Sequence, residues 1–343
     1  MNKNLNPSRI METVTAFWPS KVLLTAVEFD LFTVLSTGEK NAAELARQLK
    51  IHPRRSLDFF DALVALDFLQ RKGNGDSALY SNTDETETFL TKGKATYMGG
   101  MPEMLNARLF GIWNSLGEAL RTGKVQNESK TTGASVFEAL YANQDQLEQF
   151  LSAMAGFQTG AFMALSEKFD FSKRKTIADI GGANGHLCKI LLGRHQHLQA
   201  TLFDLPPVIP IAEREAEKAG LQKRLQCVAG DFFADALPKS EVITMGMILH
   251  DWSEKKKKTL IKSAFHALPK DGVFIAIDNI IDDERRKNAF GLMMSLNMLL
   301  EFGADGGFDY TGAQFDSWCK EAGFSRTEIV PLVGPVSAAI AYK

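Results

Sequence analysis

A chain of 343 residues, 45% hydrophobic and 23% charged, is long enough for two or three domains and has ordinary globular composition. Thirty-nine lysines and arginines against 41 acids leave a formal net charge of -2, without the basic excess of a nucleic-acid binder. Cys188, Cys227 and Cys319 form no CxxC pair, and no apolar run approaches the roughly 18 residues of a membrane span, so the reducing cytoplasm is the expected compartment.

From the N-terminus, Phe17 to Leu35 reads as one amphipathic helix, with Gly38 as its stop. Helices over Ala42–Leu49 and Arg54–Leu66 follow, the second opened by Pro53. Phe68–Arg71 and Leu79–Ser81, around Gly73-Asn74-Gly75, read as a small hairpin. Helices followed by a hairpin form a winged-helix pattern, which raises DNA binding as a possibility. Against it, Asp58, Phe59, Phe60 and Asp61 make the second helix acidic and apolar, and the wing offers only Arg71 and Lys72. A domain that pairs subunits fits those faces better.

Thr96–Leu120 and Ser135–Leu165 read as further helices, crowded with Met, Phe and Trp. After Asp170 the pattern changes. Thr176–Ile180, Thr201–Phe203, Leu225–Val228, Val242–Met247 and Val273–Ile277 are short apolar runs separated by helical stretches, which predicts a mostly parallel sheet covered by helices. Thr327–Pro331 and Val336–Tyr342 close the chain as a hairpin. The chain therefore divides into a helical domain over 1–95, a helical linking and pocket region over 96–170, and an α/β domain over 171–343.

The strongest local motif, Asp179-Ile180-Gly181-Gly182-Ala183-Asn184-Gly185, joins a strand to a helix. Its glycines allow a sharp turn and close backbone approach to a ligand. The spacing is not GxGxxG, so a pyrophosphate is not the expected ligand. Asp179 suits a ligand bearing an ammonium group, and Asp204, closing the next strand, suits ribose hydroxyls.

With Phe203-Asp204-Leu205-Pro206, Gly230-Asp231-Phe232-Phe233 and Leu249-His250-Asp251-Trp252-Ser253, this loop resembles, in order, the motifs of one family. It is the S-adenosylmethionine-dependent O-methyltransferase family of plant caffeate and flavonoid enzymes, acetylserotonin methyltransferase and bacterial antibiotic-tailoring enzymes. Phe17–Lys21, Asp309-Tyr310-Thr311 and Phe315–Phe324 extend the likeness over most of the chain. The resemblance implies a Rossmann-like class I methyltransferase domain behind a winged-helix dimerisation domain, a homodimer, S-adenosyl-L-methionine as cofactor and no metal. It implies that Gly181, Gly182 and Gly185 surround the amino-acid part of the cofactor. Asp204, with Leu205 beside it, would hold the ribose, and Asp231 and Phe232, following Gly230, the adenine, with Trp252 stacked near it. Ala183 departs from the third loop glycine common in the family.

His250 ends an apolar strand on the edge where a parallel sheet meets its ligand, and a neutral imidazole there can take a proton from a phenol or enol. Asp278, ending the next strand, and Asp309, in a Gly-rich loop, are the acids expected to orient it. Plant members carry glutamates at the matching positions, so direct contact from the shorter aspartates is left open. Asp251 is expected to serve local backbone or a subunit contact, and Lys255–Lys258, behind Ser253 as a helix cap, to form a solvated face.

Met293, Met294, Asn297 and Met298, with Phe150, Met154 and Phe157, are the candidate substrate-side residues, with core packing as the alternative for each. An apolar lining favours a flat aromatic or polyketide-like acceptor over a sugar. The expected reaction is methyl transfer to its hydroxyl. Nitrogen or carbon transfer, a non-methylating reaction with the same cofactor, and a ligand-responsive winged-helix regulator are the alternatives. Neither nucleic acid nor membrane is an expected partner.

Overall fold

The computed structural model describes residues 5–94, 96–132 and 143–343, in two compact units, Met1–Gly111 and Ile112–Lys343.

In the first unit, helices Phe17–Glu28, Leu31–Leu35, Ala42–Gln48 and Ser56–Ala65 surround a core of Val27, Leu31, Phe32, Leu45, Phe60, Leu63 and Tyr80. A small antiparallel sheet, ordered β1 (Lys40–Asn41), β3 (Leu79–Asn82), β2 (Leu69–Lys72), completes it. The single helix expected over Phe17–Leu35 is broken at Asp30, whose φ of 57° lies in the left-handed region. That break turns the chain so that Leu31, Phe32 and Leu35 all reach the core. Helix Ser8–Thr15, not anticipated from its polar beginning, buries none of its residues. On the wing, Arg71 pairs with Asp61 at 2.7 Å, and the same carboxylate accepts the Tyr80 hydroxyl.

The helix expected over Thr96–Leu120 is recovered only in pieces. Gly100–Met104 and a π turn at Leu105–Leu109 lie in the first unit; a 3₁₀ turn at Trp113–Ser115 and helix Leu116–Thr122 lie in the second. Of the helix expected over Ser135–Leu165, the described part runs Gln144–Lys168; positions 135–142 lie outside the described residues.

The second unit is built on a seven-stranded sheet ordered β6-β5-β4-β7-β8-β10-β9. Its strands are β4 (Thr176–Ile180), β5 (Gln199–Asp204), β6 (Leu225–Ala229), β7 (Val242–Gly246), β8 (Val273–Asp278), β9 (Arg326–Pro331) and β10 (Ser337–Tyr342). The first five run parallel, and β10 is antiparallel to both β8 and β9. Side chains alternate along each strand, so Ile275 and Ile277 join one apolar layer while Phe274 and Ala276 join the other. Both faces are thereby buried under helices, which is why these strands read as continuous apolar runs. Strand order reverses at β4, flanked by β5 and β7, and such a reversal leaves a crevice at the carboxyl ends of the strands. Asp179, Asp204, His250 and Asp278 lie at or just beyond those ends.

Candidate active site

The glycine loop leaves β4 and enters helix His186–Arg194. Gly181 has φ +68°, and a Cβ there would lie 2.5 Å from Ile248 Cδ1, so its backbone fits only without a side chain. Ala183, also left-handed at φ 52°, donates its N–H to Asp204 Oδ2 at 2.8 Å. Leu205 N–H donates to the other oxygen, Oδ1, at 2.7 Å. Asp204 is thus locked at the end of β5, and its burial pushes its pKa up to about 6. Asp179, equally buried, accepts the Thr244 hydroxyl at 2.7 Å, and burial lifts it to about 7.

Met154, Gln158, Asp179, Gly181, Ala183, Asn184 and Gly246 line one cleft here. Asn184 is buried against it, and its Oδ1 has no hydrogen-bond partner. Beyond β6, Gly230 N–H donates to the Asp204 carbonyl. A Cβ on Gly230 would lie 2.3 Å from the Phe203 ring. Asp231 is exposed, and its Oδ1 takes the Phe233 N–H at 2.8 Å. Phe232, Phe233 and Trp252 meet edge to face, with Lys256 Nζ 4.5 Å from the Trp252 ring centre.

His250 sits in a short 3₁₀ turn, Leu249–Asp251, just past β7, and is 4% exposed. Its Nδ1 lies 3.6 Å from Asp309 Oδ1 and its Nε2 lies 3.3 Å from Asp251 Oδ1. Burial favours the neutral ring, but the charges of Asp251, Asp309 and Asp278 outweigh it and push the His250 pKa up to about 10. Asp278 is fully buried and accepts the Tyr310 hydroxyl at 2.7 Å, and burial raises its pKa to about 7. Asp309 is therefore the nearer of the two acids, while Asp278 reaches the imidazole through its charge. Neither oxygen of Asp309 has a hydrogen-bond partner within the chain.

Three sequence expectations need correction. Asp251, assigned to backbone or subunit contacts, faces the imidazole. Lys257, assigned with Lys255–Lys258 to a solvated face, is wholly buried. Lys258 pairs with Glu254 and Glu321, and Ser253 begins the helix without a side-chain cap. The signal for Lys257 was present: it shares the helical stripe of Leu260, Ile261 and Ala264, all buried. Tyr310, the hydroxyl partner of Asp278, was missed as a functional residue because its aromatic ring reads as core.

On the Gln144–Lys168 helix, Met154 lines the cleft, Phe150 packs beside Leu147 and Ile211, and Phe157 is half-buried. On helix Ala289–Phe302, Asn297 accepts the Trp113 indole N–H at 3.0 Å and Met298 is buried. Met294 is half-buried, and Met293 is 49% exposed.

Comparison with known proteins adds independent findings. The profile of the O-methyltransferase domain matches residues 113–325, and that of the O-methyltransferase dimerisation domain matches residues 11–92. The chain is 36% identical over 337 residues to the tetracenomycin polyketide synthesis 8-O-methyl transferase TcmO of Streptomyces glaucescens, covering 98% of this chain and 97% of that one. It is 30% identical over 330 residues to the 3-hydroxy-5-methyl-1-naphthoate 3-O-methyltransferase of Streptomyces sahachiroi, covering 96% and 92%. Its fold is similar to that of human N-acetylserotonin methyltransferase, solved with S-adenosylmethionine, at a TM-score of 0.90 and 24% identity over 100% and 99% of the two chains.

Proposed function

The chain belongs to the S-adenosylmethionine-dependent O-methyltransferase family, and from that premise we propose that it methylates a hydroxyl of a small aromatic or polyketide-like molecule, with His250 as general base. The observation that carries the proposal is one crevice edge holding both halves of the chemistry. The Asp179–Asp204 cradle closes β4 and β5, and the His250–Asp309 pair follows β7, with 3.6 Å between Nδ1 and Oδ1.

The residues fit the cofactor. Gly181 leaves a backbone surface that a Cβ would fill, Asn184 Oδ1 is a buried acceptor without a donor, and Asp179 and Asp204 are buried carboxylates held by groups that leave oxygen lone pairs over. Asp179 with Gly181, Gly182 and Gly185 would hold the amino-acid part, Asp204 and Leu205 the ribose, and Gly230, Asp231, Phe232 and Trp252 the adenine. Bound there, S-adenosylmethionine supplies a methyl group already activated by positive sulfur, which leaves the protein to align the acceptor and ionise it.

His250 accepts the acceptor's hydroxyl proton, and the imidazolium so formed is stabilised by the carboxylates of Asp309, Asp251 and Asp278. A base tuned above the usual histidine range is strong but carries a proton at neutral pH, so turnover should climb with pH as the ring loses that proton and becomes neutral. Phe150, Met154, Phe157, Met294, Asn297 and Met298 would shape the acceptor pocket, with Met293 at its rim, largely by apolar contact.

Two assignments at larger scale accompany this reading. The helices of the dimerisation domain would pair two copies of the chain: Ile10, Met11, Val14, Phe17 and Trp18 are exposed apolar side chains on consecutive helices. Among the described residues no helix is long and apolar enough to cross a membrane. The three free thiols suit the reducing cytoplasm as its compartment.

The test is incubation with methyl-labelled S-adenosylmethionine and a panel of phenols, indoles and aromatic polyketides, with the products analysed by mass and by the position of the label. Label on an aromatic oxygen is the expected outcome. Label on nitrogen or carbon, or an unmethylated product, would replace oxygen transfer by another reaction of the same cofactor.

A further inference from the structure

Lys257 has no part in the chemistry described so far, yet it is the only lysine among the described residues that is buried. Burying an ammonium costs several kcal/mol unless other groups compensate. Its Nζ donates to the carbonyl of Trp252, two residues after His250. The same nitrogen lies 3.7 Å from the centre of the Phe308 ring and 5.8 Å from that of Tyr310, and these two residues flank Asp309. A cation over an aromatic face, away from water, is held by the ring's negative face. Directly before Phe308 the loop presses on the His250 turn: a Cβ on Gly307 would lie 2.4 Å from the His250 carbonyl oxygen.

We propose that Lys257 is a positioning residue of this site: its buried ammonium ties the turn carrying His250 to the loop carrying Asp309, and supplies the positive charge that balances the carboxylates around the imidazole. Burial pulls the Lys257 pKa down to about 8, which still leaves it charged at neutral pH, and four acids work to keep that proton on. Asp278 comes from β8, Asp309 from the loop, Asp251 from the turn and Glu254 from its own helix. Three of these, Asp251, Asp278 and Asp309, also act on His250. Three carboxylates facing one imidazole would bind its proton too tightly for a base. An ammonium that is still charged at neutral pH in the same cluster weakens that hold, because a proton returning to the imidazole must enter against its charge. The inference rests on the proposed base role of His250 only for its consequence in turnover. The charge and the tie are properties of the folded chain.

The experiment compares the full-length protein with K257M and K257R. Histidine-labelled samples are titrated by NMR, with the His250 signals assigned by their loss in H250Q. In K257M the His250 imidazole is expected to hold its proton more tightly around pH 7, where the wild-type ammonium is charged, moving its midpoint up because one positive charge has left the carboxylate cluster that both side chains share. The acid limb of kcat/KM should move with it, lowering kcat/KM at pH 7 while KM for S-adenosylmethionine stays near wild type. K257R, which keeps the charge, should restore both. A folded K257M whose His250 midpoint and pH profile match wild type would overturn the proposal, as would a loss of thermal stability with neither midpoint moved. Should K257M not fold, K257Q keeps a donor for the Trp252 carbonyl and drops only the charge. Folding recovered by K257R alone would give the ammonium a purely structural role and also overturn it. Absence of methyl transfer by the wild type would instead overturn the functional reading, and the NMR titration would still decide the case of Lys257.

Discussion

At the scale of single residues, the site is a cluster of buried charges whose proton affinities have moved away from their solution values. Asp179 is the simplest case. Burial raises its pKa from 3.8 to about 7, so in the folded state it holds a proton that the unfolded chain has already released. The stability associated with that retained proton is fully present below about pH 4 and is lost as pH climbs through 7. Asp179→Asn should therefore raise stability at pH 8 by on the order of 1 kcal/mol or more, with a gain that shrinks toward pH 5. Thermal unfolding at the two pH values checks this, and equal or lower stability at pH 8 would contradict it. The same variant should bind S-adenosylmethionine more weakly, since a carboxylate facing an ammonium is lost. Asp309→Asn belongs beside it. Removing the nearer acid should lower the His250 pKa, moving the acid limb of the pH profile to lower pH, and should reduce kcat on the high-pH plateau by less than removal of His250 itself, as expected of an acid that orients the ring without taking the proton. A larger loss than in His250→Ala, measured in the same assay, would reverse those roles.

At the scale of elements, the turn after β4 stores strain. Ala183 adopts φ 52°, which costs a residue with a Cβ about 1 kcal/mol relative to glycine. Ala183→Gly keeps the backbone N–H that binds Asp204, so it should raise stability by up to about 1 kcal/mol in urea unfolding. A drop of similar size would show that the methyl group packs usefully. Legibility of the fold followed the same local logic. The parallel strands were readable because both their faces are buried, and β4, β7 and β8 appear within a residue of their expected limits. The glycine loop was readable because Gly181 combines a left-handed φ of +68° with a close approach to Ile248, both of which favour glycine. What escaped depends on contacts distant in sequence. The break at Asp30 exists because Leu31, Phe32 and Leu35 must face a core completed by Tyr80, and β1, two residues long, is defined only by its pairing with β3. Lys257 was misread because its residue type was weighed above its position on the apolar stripe. That Asp251 faces the imidazole follows from the tight 3₁₀ turn, a geometry without a pattern in composition.

At the scale of the whole molecule, helix Ser8–Thr15 buries nothing, and Phe17 and Trp18 are 55% and 61% exposed. Apolar side chains gathered in this way fit the proposed pairing of two copies through an intimate symmetric interface. Light scattering at micromolar concentration should give twice the 37.9 kDa chain mass, and the double substitution F17S/W18S should shift the equilibrium toward monomer. A wild-type monomer at that concentration would contradict the proposed pairing. The central claim, a methyl transfer in which His250 removes the proton, is tested most directly by the pH profile of kcat/KM for wild type and His250→Ala on one identified phenolic acceptor. Expected is a loss of about 10²–10⁴-fold in His250→Ala near neutral pH, narrowing at high pH where the phenol ionises unaided, with S-adenosylmethionine binding nearly intact. Two parallel profiles of nearly equal height would contradict it.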